Sequence, residues 1–140
     1  MFKVKILTIG KTKETWLEAA LEEYRKRLKS TVQIEFSYVK DNRQLLAIAE
    51  KEGSVVGLDP GGIQLSSEAF SQFFVDSLEK RGARMTFVIG GPEGLPQDLK
   101  TNHFLLSLST LTFTHQIARL ILVEQIYRAV EINKKSPYHK

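Results

Sequence analysis

Met85-Thr86-Phe87-Val88-Ile89-Gly90-Gly91-Pro92-Glu93-Gly94 sets a short apolar run directly against a glycine-proline loop. Residues Met85 to Ile89 hardly alternate in polarity, which predicts a strand buried on both faces, as parallel sheets require. The glycines mark where it stops. Upstream, Ser66-Ser67-Glu68-Ala69 opens a helix with Ser66 as its cap. Phe70, Phe73, Phe74 and Leu78 form its buried stripe, and Lys80-Arg81-Gly82 its stop signal. Before that helix, Ser54 to Leu58 predicts a strand running into a turn at Asp59-Pro60-Gly61-Gly62. Downstream come a short helix near Gln97, a strand over Phe104 to Ser107, a hydroxyl-rich loop from Ser109 to Thr114, and a helix from His115 to about Asn133.

The N-terminal part repeats the alternation, with a strand over Phe2 to Ile9, a helix over Thr12 to Lys29, a strand over Gln33 to Val39 and a helix over Arg43 to Glu52. In the first of these helices Trp16, Ala20, Tyr24 and Leu28, with Leu17 and Leu21 beside them, predict the buried face. Strands alternating with helices imply an α/β fold, a mostly parallel sheet covered on both faces, in a single domain spanning residues 1–140.

Composition narrows the chemistry. The 140 residues are 42% hydrophobic and 26% charged, which suits a folded core and not a disordered chain. No apolar run approaches the ~20 residues of a membrane span. The absence of cysteine excludes a disulfide scaffold, a zinc-thiolate site and a thiol nucleophile. Met1 to Lys5 alternates like a strand and does not resemble an export signal, so a cytoplasmic protein is expected. The net charge of +4 tolerates an anionic partner without requiring one.

In open α/β sheets ligands bind beyond the carboxyl ends of the strands. Three such ends are unusual here: Leu58 to Gly62, Gly90 to Gly94, and Leu108 to Thr114. They are either three ordinary turns or a backbone cradle able to grip a flat heterocycle by its edges. Gly90 to Gly94 lacks the spacing of a dinucleotide fingerprint, and no lysine follows it as in a phosphate-binding loop. The helix from His115 carries apolar residues around its whole circumference, which predicts burial on more than one side and, in so small a chain, a second subunit. Glu124 and Arg128, four residues apart in that helix, are read as an interface or site pair, the alternative being an exposed stripe. His115 is expected to cap the helix or support the loop before it. The tail Pro137-Tyr138-His139-Lys140 either frays or contacts RNA, with Tyr138 stacking on a base and Lys140 meeting phosphate.

Taken in order, Gly90 to Leu95, Leu108 to His115, Glu124-Gln125-Ile126-Tyr127-Arg128-Ala129 and Pro137-Tyr138-His139 resemble the RlmH family. So do the opening residues Lys3 to Lys11 and the segment Glu23 to Leu28. These are SPOUT-class bacterial enzymes that methylate N3 of a pseudouridine in large-subunit (23S) ribosomal RNA. The resemblance implies a C-terminal trefoil knot, a homodimer, S-adenosylmethionine as methyl donor, and assembled ribosomes as substrate. It carries cofactor contacts onto Leu58, Gly90, Leu108, Ser109, Thr110, Leu111, Thr112 and Phe113. Two departures stand out. Thr114 occupies a position where relatives often have proline, and the connection Lys40 to Arg43 is shorter than in many of them.

The expected catalytic group is His139, as base or as substrate-orienting residue near the partner's cofactor site. Arg128 would stabilise the anion developing on the base, and Tyr138 would position it. No metal is expected. Lys11, Lys13, Arg25, Lys134 and Lys135 are candidate RNA contacts. Two rival readings remain at this level: a non-enzymatic RNA-binding module, and an α/β enzyme or regulator acting on small molecules.

Overall fold

The computed structural model describes residues 1–139. Within them β1 (Phe2–Ile9), α1 (Thr15–Leu28), β2 (Val32–Val39), α2 (Asn42–Ala49), β3 (Val55–Gln64), α3 (Ser67–Lys80), β4 (Arg84–Ile89), α4 (Gln97–Asn102), β5 (Phe104–Ser107) and α5 (His115–Asn133) follow one another. The strands form one sheet in the order β2-β1-β4-β3-β5. Every pairing is parallel, so all the strand ends that precede helices lie along one rim.

Period-two strand geometry sends neighbouring side chains to opposite faces. Ile6 and Phe87 accordingly join a core with Leu17, Leu21, Phe70, Phe74, Leu122 and Ile126, beneath α1, α3 and α5. Leu7 and Val88 join a second core with Leu45, Ala49, Leu95 and Leu99, beneath α2 and α4. The sheet is covered on both sides, as the apolar strand at Met85 to Ile89 predicts.

Three expectations need correction. Trp16 is 55% exposed, and α1 buries Leu17, Leu21 and Leu28 instead. The helix begins only at Thr15, so Trp16 falls in its first turn, rotated off the core-facing side. Asp59 to Gly62 is also no simple turn after a strand. Leu58 and Ile63 both pair with Leu106, so the four residues between them loop out as a bulge while β3 continues to Gln64. The cap of α5 is Thr114, whose Oγ1 accepts from Ile117 N at 3.2 Å, and not His115. Threonine thus supplies by hydrogen bonding what proline would supply there by fixing φ.

Candidate active site

Leu58, Gly90 and the segment Leu108–Thr114 converge on one cavity of ≈ 620 Å³ on the carboxyl rim of the sheet. Its wall is largely apolar and glycine-rich: Leu58, Asp59 and Pro60 from the β3 bulge, Ile89 to Gly94 after β4, Leu108, Ser109 and Leu111 to Thr114 after β5, and His115 and Ala118 from α5. That size falls within the usual ~300–1,000 Å³ of small-molecule sites. Of the eight cofactor positions expected from the sequence, Thr110 alone is absent from the wall; it is exposed on the same loop.

Two glycines make this shape. A Cβ on Gly90 would stand 2.6 Å from the Gly94 carbonyl carbon, so only glycine lets the loop fold back on itself, where Gly94 N donates to Gly91 O at 2.9 Å. A Cβ on Gly62 would stand 2.6 Å from the Leu105 carbonyl carbon, which ties the end of the β3 bulge to β5. Asp59 shapes the bulge: its Oδ2 accepts from Gly61 N at 2.9 Å, and its Oδ1 lies 3.4 Å from Lys100 Nζ on α4. The third wall is held by its own hydroxyls. Ser107 Oγ donates to the Ser109 carbonyl at 2.9 Å, and Ser109 Oγ accepts from Leu111 N at 3.0 Å.

Arg119 anchors the first turn of α5 and was not singled out in the sequence. It is fully buried. Its Nε donates to Thr8 Oγ1 at 3.2 Å, its Nη1 to Thr12 Oγ1 at 3.0 Å and Gln116 Oε1 at 3.3 Å, and its Nη2 to the Ile9 and Gly10 carbonyls at 2.8 and 2.6 Å. The Tyr38 ring lies 5.4 Å from the guanidinium carbon. The signal available was a lone cation inside the apolar run Ile117 to Val123. His115, next to the cavity, is held below the ordinary histidine value, mainly by burial and further by repulsion from Arg119 and Lys13. It is therefore neutral at neutral pH.

Arg128, Tyr138 and His139 form a second cluster, at the far end of α5. Glu124 Oε2 accepts from Arg128 Nε at 3.2 Å and from the Tyr138 hydroxyl at 3.1 Å. Tyr138 packs edge-on against Tyr127 with ring centroids 4.7 Å apart, and the Arg128 guanidinium sits 5.0 Å from its ring. Burial, then hydrogen bonding with Tyr24, pushes the Tyr138 phenol up to about 12, so it stays a proton donor. His139 bridges Arg128 Nη1 at 2.9 Å and Glu68 Oε2 at 2.8 Å. The tail is docked through residue 139; Lys140 lies outside the described residues. Arg128 stands ten residues beyond Ala118, or ~15 Å along the helix at 1.5 Å per residue. Within one chain the two clusters are separate.

Among the described residues no group of three or more His, Asp and Glu is arranged to hold a metal, and no helix is long and apolar enough to cross a membrane. Residues 2–139 match the family model described as a predicted SPOUT methyltransferase. A ribosomal RNA large subunit methyltransferase H from Protochlamydia amoebophila is 59% identical over 140 residues, covering 100% of both chains. A protein of the same name from Streptococcus mutans is 41% identical over 158 aligned positions, covering 99% of each. Among solved structures, TrmJ from Z. mobilis matches with a TM-score of 0.53 over 91% of this chain and 69% of that one, at 7% identity. That likeness concerns the fold alone.

Proposed function

The chain belongs to the SPOUT methyltransferase family, and from that premise we propose that it methylates large-subunit (23S) ribosomal RNA. The donor in this reading is S-adenosylmethionine, the acceptor is N3 of a pseudouridine, and the substrate is the assembled ribosome. The full-length relatives named ribosomal RNA large subunit methyltransferase H support the substrate class. One observation supports the donor: three sequence-distant strand ends meet around a single, largely apolar cavity.

The cavity suits an adenosyl group. It offers apolar faces at Leu58, Leu108, Leu111 and Phe113, close backbone approach at Gly90, and main-chain donors and acceptors on the loop carrying Ser109 and Thr112. Thr110 belongs to that loop and completes it. The loop returns from β5, at one edge of the sheet, across the ends of β3 and β4 to α5. Such a return favours the trefoil crossing of the family. When bound, the donor supplies a methyl group already activated on a sulfonium.

The protein's task is alignment and proton management. Good orientation is worth ~7–11 kcal/mol, and assisted proton removal typically ~10²–10⁴-fold. The imide must lose its N3 proton, here to water, leaving negative charge shared with the two carbonyl oxygens of the base. Arg128 is suited to receive that charge. The hydrogen bonds above use its Nε and Nη1, and its Nη2 has no hydrogen-bond partner among the described residues. Tyr138, neutral and fixed, supplies a face and an edge for positioning the base. His139 orients the substrate from the end of the tail.

The cofactor cavity and the tail cluster are ~15 Å apart along α5, so a homodimer in which each tail serves the other copy's cavity completes the site. Half-buried Ile117, Leu120, Ile121 and Tyr127 on α5 support such an interface. Exposed Lys11, Lys13, Lys134 and Lys135 suit the RNA backbone, as does Arg25, which lies beside Glu22 at 3.5 Å. The test is incubation with methyl-labelled S-adenosylmethionine and ribosomes lacking the modification. Label at N3 of one pseudouridine in the large-subunit RNA is expected. Unlabelled RNA, with label appearing in small metabolites, refutes the reading.

A further inference from the structure

We infer that Glu68, in the first turn of α3, is a positioning residue for the methyl transfer, acting through His139: it accepts the ring's Nε2–H and holds the C-terminal tail in its working place. The inference rests on the reading that the tail serves the reaction.

The contacts determine where the proton sits. Guanidinium nitrogens only donate, so His139 Nδ1, 2.9 Å from Arg128 Nη1, must accept. The remaining nitrogen, Nε2, then carries the hydrogen and donates it to Glu68 Oε2 at 2.8 Å. An imidazolium would turn an Nδ1–H against the Arg128 N–H, so the neutral ring is the one these contacts accommodate. Both ring nitrogens are occupied, and His139 in this arrangement has no free lone pair with which to take the substrate proton. Its part is orientation, which narrows the two roles read from the sequence to one.

Glu68 is well placed for this. Ser66 caps α3 by accepting from Ala69 N at 3.0 Å. Ser67 Oγ donates to Gln125 Oε1 at 2.8 Å and Ser71 Oγ to the Ala129 carbonyl at 2.6 Å, locking α3 against α5. Gln125 Nε2 in turn donates to Glu124 Oε1 at 2.9 Å. A continuous polar chain therefore runs Glu68–His139–Arg128–Glu124–Tyr138, closing the tail onto two helices. Arg128 thus lies between two carboxylates, bonded directly to Glu124 and through the neutral ring to Glu68, and its Nη2 has no hydrogen-bond partner among the described residues.

The experiment compares Glu68→Ala, Glu68→Gln and a chain truncated after Ser136, in methyl transfer to unmodified ribosomes and in binding of S-adenosylhomocysteine by calorimetry. It also reads the ¹⁵N shifts of the His139 ring in the wild type and in Glu68→Ala. Glu68→Ala should lower kcat by on the order of tenfold to a hundredfold and leave S-adenosylhomocysteine affinity within about twofold. Glu68→Gln keeps an acceptor for Nε2–H and should recover most of the loss. The wild-type ring should show Nε2–H with an unprotonated Nδ1, and Glu68→Ala the same tautomer, still set by Arg128, with the Nε2 shift moved by loss of its acceptor. Loss of activity on truncation together with a wild-type kcat for Glu68→Ala would overturn the role of Glu68 alone. So would an Nδ1–H tautomer in the wild type. A truncated chain that transfers methyl groups at the wild-type rate would overturn the reading of the tail itself, and Glu68's role with it.

Discussion

His115 stands where the cavity meets the buried cation of α5, and its protonation is disfavoured by burial first and by Arg119 and Lys13 after it. The unfolded chain, with an ordinary histidine near 6.5, therefore binds a proton that the folded chain resists. The fold has its full stability above that value, and loses stability as pH falls from about 6.5 through the depressed folded value. His115→Gln should flatten this part of the pH dependence, read as urea midpoints between neutral and mildly acidic pH. An unchanged slope would mean that another group governs it. Arg119 shows why the sequence under-reports such residues. A single arginine among Ile117, Leu120 and Val123 reads as a break in an apolar stripe. Its partners at Thr8, Ile9, Gly10 and Thr12 lie over a hundred positions away in the chain.

Elements with a strong local signal were legible at their boundaries. β1, β5 and α5 run over Phe2–Ile9, Phe104–Ser107 and His115–Asn133, as apolar patterning and flanking glycine or hydroxyl residues predict. The β3 bulge was not legible, because Asp59-Pro60-Gly61-Gly62 carries every local mark of a turn. Only the pairing of Ile63 and Gln64 with β5 shows that the strand resumes. Trp16 departs from the expected face for the opposite reason: helical spacing gives the relative phase of side chains, while the packing of α1 on the sheet sets which phase is buried. The loop after β4 is the element on which the cavity most depends. Gly90→Ala forces a Cβ to 2.6 Å from the Gly94 carbonyl carbon, and overpacking of this kind costs ~1–3 kcal/mol. If that strain falls on the cavity, S-adenosylhomocysteine affinity should fall about tenfold or more in calorimetry, with the sheet still folded by circular dichroism. Undiminished affinity would place the adenosyl group elsewhere.

At the scale of the molecule, one chain holds a cavity and a polar cluster at opposite ends of α5. The cavity lies at the start of α5, among bare backbone and apolar side chains. The charged and aromatic cluster lies at its end, with the tail clamped to α3 and α5. Of the three unusual strand ends, two were legible through their glycines and prolines and the third, Leu108 to Thr114, through its run of hydroxyls. The tail cluster was legible only as a composition, Pro-Tyr-His after a helix carrying Glu124 and Arg128. Its partner Glu68 sits 71 positions upstream of His139, where it reads as an ordinary acid in a helix's first turn. A second copy of the chain brings cavity and tail together in the proposed enzyme. The most direct test is the crystal structure of the complex with S-adenosylhomocysteine. It should show the adenosyl group between Leu58, Gly90 and the segment Leu108–Phe113, with the tail of a second copy at the cavity's mouth. Ligand bound away from these strand ends, or a lone chain whose cavity no other copy approaches, would contradict the account.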